Sequence, residues 1–292
     1  MRQSIGERVF SLFNTIFLSV MILITIYPLY FCLIASFSDP IELSMNPGAI
    51  LLPFTPFTLS AYSKVINHSL FVSGFRNTIY VVVVGTLINM ALTIISAYVL
   101  SRKGLMLNRV LTFFIIFTMY FSGGLIPGYL NVRSLGMINS LWALILPGAI
   151  STYNLIIMRT AFKGVPDALS ESAQIDGARH FTVMSRILIP VCLPTIAVLV
   201  LYYAVGHWNA WFGASIYLQD ATKHPIQLVM RNILISANAS EMIGDIGGED
   251  KARYVELIKY ALIIVSTVPV LVLYPFLQKY FVKGVMVGSV KE

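Results

Sequence analysis

The sequence predicts an all-α, polytopic membrane protein with six transmembrane helices. Hydrophobic residues make up 57% of the 292 positions and charged residues only 11%, against about 45–50% and about 25% in a soluble domain. Mean hydropathy is +0.80, so lipid must solvate much of the surface. The apolar residues gather in runs close to the roughly 20 residues a helix needs to cross about 30 Å of hydrocarbon.

In chain order the runs are about 10–37, 78–100, 110–129, 141–161, 187–206 and 257–278. Arg2 and Arg8 precede the first, as in a signal peptide. That run exceeds the about 7–15 residues of a signal core and lacks a clear A-x-A site, so it is expected to remain as a first span.

Basic residues set the orientation. With the N-terminus inside, the inner segments 1–9, 101–109, 159–186 and 279–292 hold Arg2, Arg8, Arg102, Lys103, Arg109, Arg159, Lys163, Arg179, Arg186, Lys279, Lys283 and Lys291. The longer outer segments 38–77, 130–140 and 207–256 hold only Lys64, Arg76, Arg133, Lys223, Arg231, Lys251 and Arg253. Both termini are therefore expected in the cytoplasm. The net charge of +7 serves this asymmetry, and no basic-aromatic cluster points to nucleic acid. Cys32 and Cys192 lie far apart in apolar runs, which argues against a disulfide framework.

One stretch interrupts the second half, GVPDALSESAQIDGARHFTVMSRILIP at 164–190. Lys163, Asp167, Glu171, Asp176, Arg179 and Arg186 exclude it from lipid: at about 2.5–3.5 kcal/mol per charge, burial would cost on the order of 15 kcal/mol. It reads as a structured inner loop, 163–186. Pro166 suits a first helical position, Asp167 the positive helix start, and Gly177 the left-handed residue after a helix end. A helix over 166–177 would set Val165, Leu169 and Ala173 on one face and Asp167, Glu171 and Gln174 on another. On these grounds alone it is either a docking helix or a capped connector.

The spacing resolves the choice. Glu171-Ser172-Ala173, then Asp176-Gly177, nine residues, and Ile187-Leu188-Ile189-Pro190 resemble the EAA loop of ABC importer permeases. Ser172 and Ile189 depart from the family's alanine and leucine. Phe57 to Tyr62, Asn77-Thr78, Ala97-Tyr98 before Ser101-Arg102, and the six-span layout extend the likeness to MalG-like carbohydrate permeases. GHWNAWF at 206–212 and YPFLQKYFVKGVMVGSVKE at 274–292 look closest to the subgroup importing oligo- or polysaccharide fragments, uronate-containing ones such as alginate fragments included.

The resemblance implies an ABC importer permease fold, a single transmembrane permease domain over 1–292, in a bacterial cytoplasmic membrane. It implies a coupling helix whose Glu171, Ser172, Ala173, Asp176 and Gly177 meet an ATPase subunit. The implied partners are a second, non-identical permease, two ATPase subunits and an extracytoplasmic solute-binding protein, which would contact the outer loop 207–256. ATP and Mg would be bound by the ATPase subunits. Consistent with this, the chain has no G-x-x-x-x-G-K-[ST] of its own and no cofactor is expected in it.

No enzyme active site or metal site emerges. His68, His180, His207 and His224 are scattered and form no metal pattern; His180 is expected to be solvated. Glu171 and Asp176 stand about 140° apart on a helix and do not converge. Gly244 to Asp250 carries three carboxylates and no lysine, a loop that repels anions, and its spacing does not match a calcium loop. Tyr202, Tyr203, His207, Trp208, Asn209 and Trp211 cluster at the outer end of the fifth span. They suit a sugar pathway, the alternative being an interfacial aromatic belt. The rival functions are an ion-gradient-driven secondary transporter and a non-transporting scaffold. A secondary carrier calls for an intramembrane ionisable coupling residue; the six runs hold no Asp or Glu, and Lys259 sits at the edge of the last.

Overall fold

A computed structural model describes residues 4–272 apart from 47, 49, 103, 105 and 236–253. The loop 244–250, Lys251, Arg253 and the ending 274–292 therefore lie outside the described residues. Those described form helices and connecting turns with no strand among them, so the fold is all-α. Among the described residues three helices are long and apolar enough to cross a membrane: α1 (Ile5–Phe37), α4 (Ser69–Ser101) and α15 (Tyr254–Val272). The chain divides into two compact units, described separately below.

The first unit comprises 1–68 and 230–268. Ser4 and Glu7 start α1 with a reciprocal capping box, Glu7 N donating to Ser4 Oγ at 3.2 Å and Ser4 N to Glu7 Oε2 at 2.7 Å, which satisfies two of the amides that every helix start leaves free. After α1, α2 (Pro40–Met45) is capped by Asp39, and α3 (Ser60–Asn67) docks through Tyr62, which stacks on Phe37 and shares a 2.6 Å hydrogen bond with Ser36. Phe31 meets Tyr260 of α15 edge-on at 5.8 Å.

The second unit is built on α4. Its buried stripe runs Gly74, Thr78, Val81, Gly85, Asn89, Thr93, Ala97 and Ser101, while Ile79, Val83, Leu87, Leu92, Ile95 and Val99 are exposed. The spacing of three to four residues makes this one helix face. The helix is thus more polar inside than outside, as expected where lipid replaces water and small residues let helices approach closely. Against this stripe pack α8 (Thr152–Lys163) and α12 (Leu193–Asn209).

Three apolar stretches are not straight helices. Over 110–129 the structure has α5 (Asn108–Tyr120) followed by α6 (Leu125–Ser134), bent by 112°, with Gly124 at φ +89° in the break. Over 141–161 it has the four-residue α7 (Trp142–Ile145), then a turn at Pro147-Gly148, then α8. Over 187–206, a helical stretch His180–Val191 meets α12 at 85°. That stretch comprises α10 (His180–Val183), a π turn at Met184–Leu188 and α11 (Ile189–Val191). Pro190 and Pro194 lack the amides a continuous helix would need. The short α13 (Phe212–Tyr217) and α14 (Ile226–Ile235) follow.

Candidate functional site: the motif helix and its connection to the spans

The motif folds as α9 (Asp167–Ile175), with Pro166 at the N-cap rather than at the first helical position. Its end is closed by a Schellman motif: Gly177 N donates to Gln174 O at 3.0 Å and Ala178 N to Ala173 O at 2.8 Å. Gly177 has φ +83°, and a Cβ there would meet nothing within 4 Å. The glycine is thus required for its backbone conformation, not for space.

Ser170 is buried and Ala173 packs onto the core formed by Tyr98, Met158, Phe162, Val165, Val183 and Leu188. Leu169, expected on the same face as Ala173, is instead 46% exposed. Glu171, Ser172 and Asp176 are exposed, and Ile175 and Phe181 are 87% and 72% exposed. The outward face therefore combines carboxylates with three large apolar side chains that water solvates poorly, a surface suited to burial against a partner.

The inward face is wired to α4. Arg102 donates to Ser170 Oγ at 3.3 Å and lies over the Tyr98 ring at 5.0 Å. Tyr98 OH is 3.0 Å from His180 Nδ1. His180 is exposed, as expected, and this contact also ties it to the end of α4. Arg159 Nε donates to Leu100 O at 3.0 Å, capping a carbonyl that the helix end leaves open. A cavity of about 280 Å³ between Arg102, Asn108, Phe162 and Asp167 separates these elements.

Further along α4 a second polar cluster crosses the apolar core. Asn89 Nδ2 donates to Gly148 O at 3.1 Å and Ala149 O at 2.8 Å. Both amide hydrogens are so used, and Asn89 Oδ1 accepts from His207 Nε2 at 2.6 Å, which fixes the protonated nitrogen of that ring. One turn on, Thr93 Oγ1 and Tyr203 OH are 2.8 Å apart and Ser151 N donates to the same Tyr203 oxygen. Of the expected sugar-facing residues, Tyr203 and Trp208 are buried within the unit, Trp208 edge-on to Phe75. Tyr202 and Asn209 are exposed, and Trp211 packs against Ala214, Leu218 and Leu228. The structure does not gather them into one surface. Asn89 and Thr93 were not singled out in sequence; a lone amide within an apolar run was the available signal.

Apolar spans, a capped polar helix between two of them and hydrogen-bonded links from that helix into the spans define a membrane subunit of a transporter. Residues 89–287 match the family described as "binding-protein-dependent transport system inner membrane component", and the chain belongs to that family. It is 41% identical over 287 residues to the polygalacturonan/rhamnogalacturonan transport system permease protein YtcP of Bacillus subtilis, covering 98% of this chain and 99% of that one. It is 40% identical to Protein LplC of the same organism, covering 100% and 98%. Its structure matches a bacterial ABC transporter involved in the import of the acidic polysaccharide alginate, with a TM-score of 0.86 and 28% identity over 96% of this chain and 99% of that one. The protein is a polytopic permease component of a binding-protein-dependent ABC importer.

Proposed function

We propose that this permease imports oligosaccharides, uronate-containing chains among them, across a bacterial cytoplasmic membrane, with both termini on the cytoplasmic side. It forms half of the pathway beside a second, non-identical permease. Two separate ATPase subunits bind ATP and Mg, and an extracytoplasmic solute-binding protein delivers the sugar.

The observation that carries this reading is the two-sided α9. Its outer side offers Leu169, Glu171, Ile175 and Asp176 to a partner, and its inner side is held to α4 by Arg102 and Ser170. Movement of an ATPase subunit on the outer side would be passed to α4 as a displacement of a packed element, rocking the spans between inward- and outward-facing states. The polysaccharides that the similar proteins transport, polygalacturonan and alginate, support the sugar class.

The test is uptake by the complete importer in proteoliposomes. ATP-driven accumulation of an oligosaccharide that vanadate abolishes is the expected result. Uptake that ignores vanadate and follows an ion gradient would overturn it.

A further inference from the structure

At the end of α4 remote from α9 lies an open cavity of about 470 Å³, within the range of small-molecule sites. Arg76 and Lys223 both line it, with Tyr80, Trp142, Asn77 and Asn139, and among the described residues no carboxylate lines it. Arg76 on α4 and Arg102, the first residue after its end, stand 26 positions apart, about 39 Å at the helical rise, more than the hydrocarbon thickness of about 30 Å. The cavity and the motif helix therefore face opposite sides of the bilayer.

The cavity wall is built rather than incidental. Asn77, buried, donates to Thr222 O at 2.8 Å and His224 O at 3.3 Å. Asn139 Oδ1 accepts from the amides of Gln219 and Asp220, and its carbonyl accepts from Lys223 Nζ at 2.9 Å. One of three ammonium hydrogens is so used, which leaves two to offer. Asp220, the nearest acid in sequence, bonds to the amide and hydroxyl of Thr222 and also feels the Lys223 charge. Tyr80 and Trp142 are 39% and 40% exposed and present aromatic surface beside the two cations. Aromatic faces fit the C–H faces of a pyranose, amides fit its hydroxyls, and a guanidinium fits a carboxylate bidentately.

We propose that this cavity is a receiving subsite for one uronate residue of the transported chain, Arg76 and Lys223 taking the carboxylate and Tyr80 and Trp142 the ring. The inference rests on the import reading above and adds where the acidic charge is recognised. The two aromatic rings beside the cations favour a sugar over a carboxylate on the binding protein, which would need only the charges.

The experiment uses the complete importer in proteoliposomes with its binding protein, trigalacturonate as the probe, and a neutral arabinotriose in parallel. Arg76→Gln combined with Lys223→Gln is expected to raise the apparent KM for trigalacturonate about tenfold, equal to about 1.4 kcal/mol. Arg76→Lys should recover part of that, and the affinity of the importer for loaded binding protein should not change. An unchanged KM, or a loss matched by weaker docking of the binding protein, would overturn the subsite. Vanadate-sensitive uptake of arabinotriose alone by the unmodified importer would also overturn it, and with it the uronate part of the import reading, while leaving ATP-driven oligosaccharide import intact. Absence of vanadate-sensitive uptake of either chain would overturn both.

Discussion

His207 Nε2 and Asn89 Oδ1 lie 2.6 Å apart although 118 positions separate them in sequence. This bond joins α4 to α12, and Asn89 Nδ2 carries the link on to the turn at Gly148 and Ala149. Asn89→Leu would strip two carbonyls and a ring N–H of their partner at once, where lipid supplies no substitute. At about 1–3 kcal/mol for each unsatisfied group, the purified complex should melt several degrees lower. Asn89→Gln should recover little, because its longer arm cannot reach the same three groups. Equal melting temperatures for wild type and Asn89→Leu would remove this cluster from any structural role.

Gly85 faces the same imidazole. A Cβ built there would sit 2.6 Å from His207 Nε2, and the ring cannot swing away without breaking its bond to Asn89. Gly85→Ala should destabilise by about 1–3 kcal/mol, the usual cost of overpacking. His207→Ala should relieve much of that in the double variant, giving a coupling energy of at least about 1 kcal/mol in a double-mutant cycle. Strict additivity would contradict the contact.

At Gly177 the space is open and only the backbone conformation is demanding. Gly177→Asn, which tolerates the left-handed region, should keep near-normal ATP-driven uptake. Gly177→Val should lose most uptake and most substrate-stimulated ATPase activity while melting normally, since α9 lies at the surface. Wild-type coupling in the valine variant would show that the helix end does not transmit force.

Arg102 and Ser170 test the inner side of the same helix. Arg102→Gln removes a guanidinium that touches both Ser170 and the Tyr98 ring, so the helix should still dock on its partner but pass less of the movement to α4. The expected signature is ATPase activity that is retained, with uptake per ATP falling several-fold. Tyr98→Phe, which loses only the bond to His180, should have a smaller effect in the same direction.

Asp220 supplies a pH-dependent feature outside the spans. The Thr222 hydroxyl, and after it the Thr222 amide, hold its carboxyl below the ordinary carboxylate range. A depressed folded pKa contributes order above the unfolded value and loses it as pH falls through the folded value. Amide exchange over 220–224 should therefore quicken only on strong acidification. Thr222→Val should move that change to higher pH, as followed by hydrogen-exchange mass spectrometry.

The motif helix was legible because its information is local: charges that lipid rejects, a glycine at a helix end and a fixed spacing of apolar residues. The reading of Pro166 at the first helical position missed by one residue, which is the usual uncertainty of helix ends. The Pro147-Gly148 break was present in the sequence, but apolar length alone passes over it. Partnering was not legible. Thr93 and Tyr203 meet across 110 positions, and no periodicity of either helix names the other. For the same reason no pattern announces that Tyr203 and Trp208 are buried within the unit, or that Arg76 and Lys223 share a cavity.

The polar stripe of α4 also orders events during synthesis. Asn89 and Thr93 enter the bilayer before Tyr203 and His207 have been translated. At about 5–20 residues per second, the Asn89 amide hydrogens wait roughly 3–12 s for Gly148 and Ala149, and its oxygen and the Thr93 hydroxyl wait roughly twice as long for α12. Until then α4 is a helix hydrophobic enough to insert yet unsatisfied once inserted. A nascent chain stalled before α12 would hold the Asn89 amide hydrogens on Gly148 and Ala149 but leave the Asn89 oxygen and the Thr93 hydroxyl without their α12 partners.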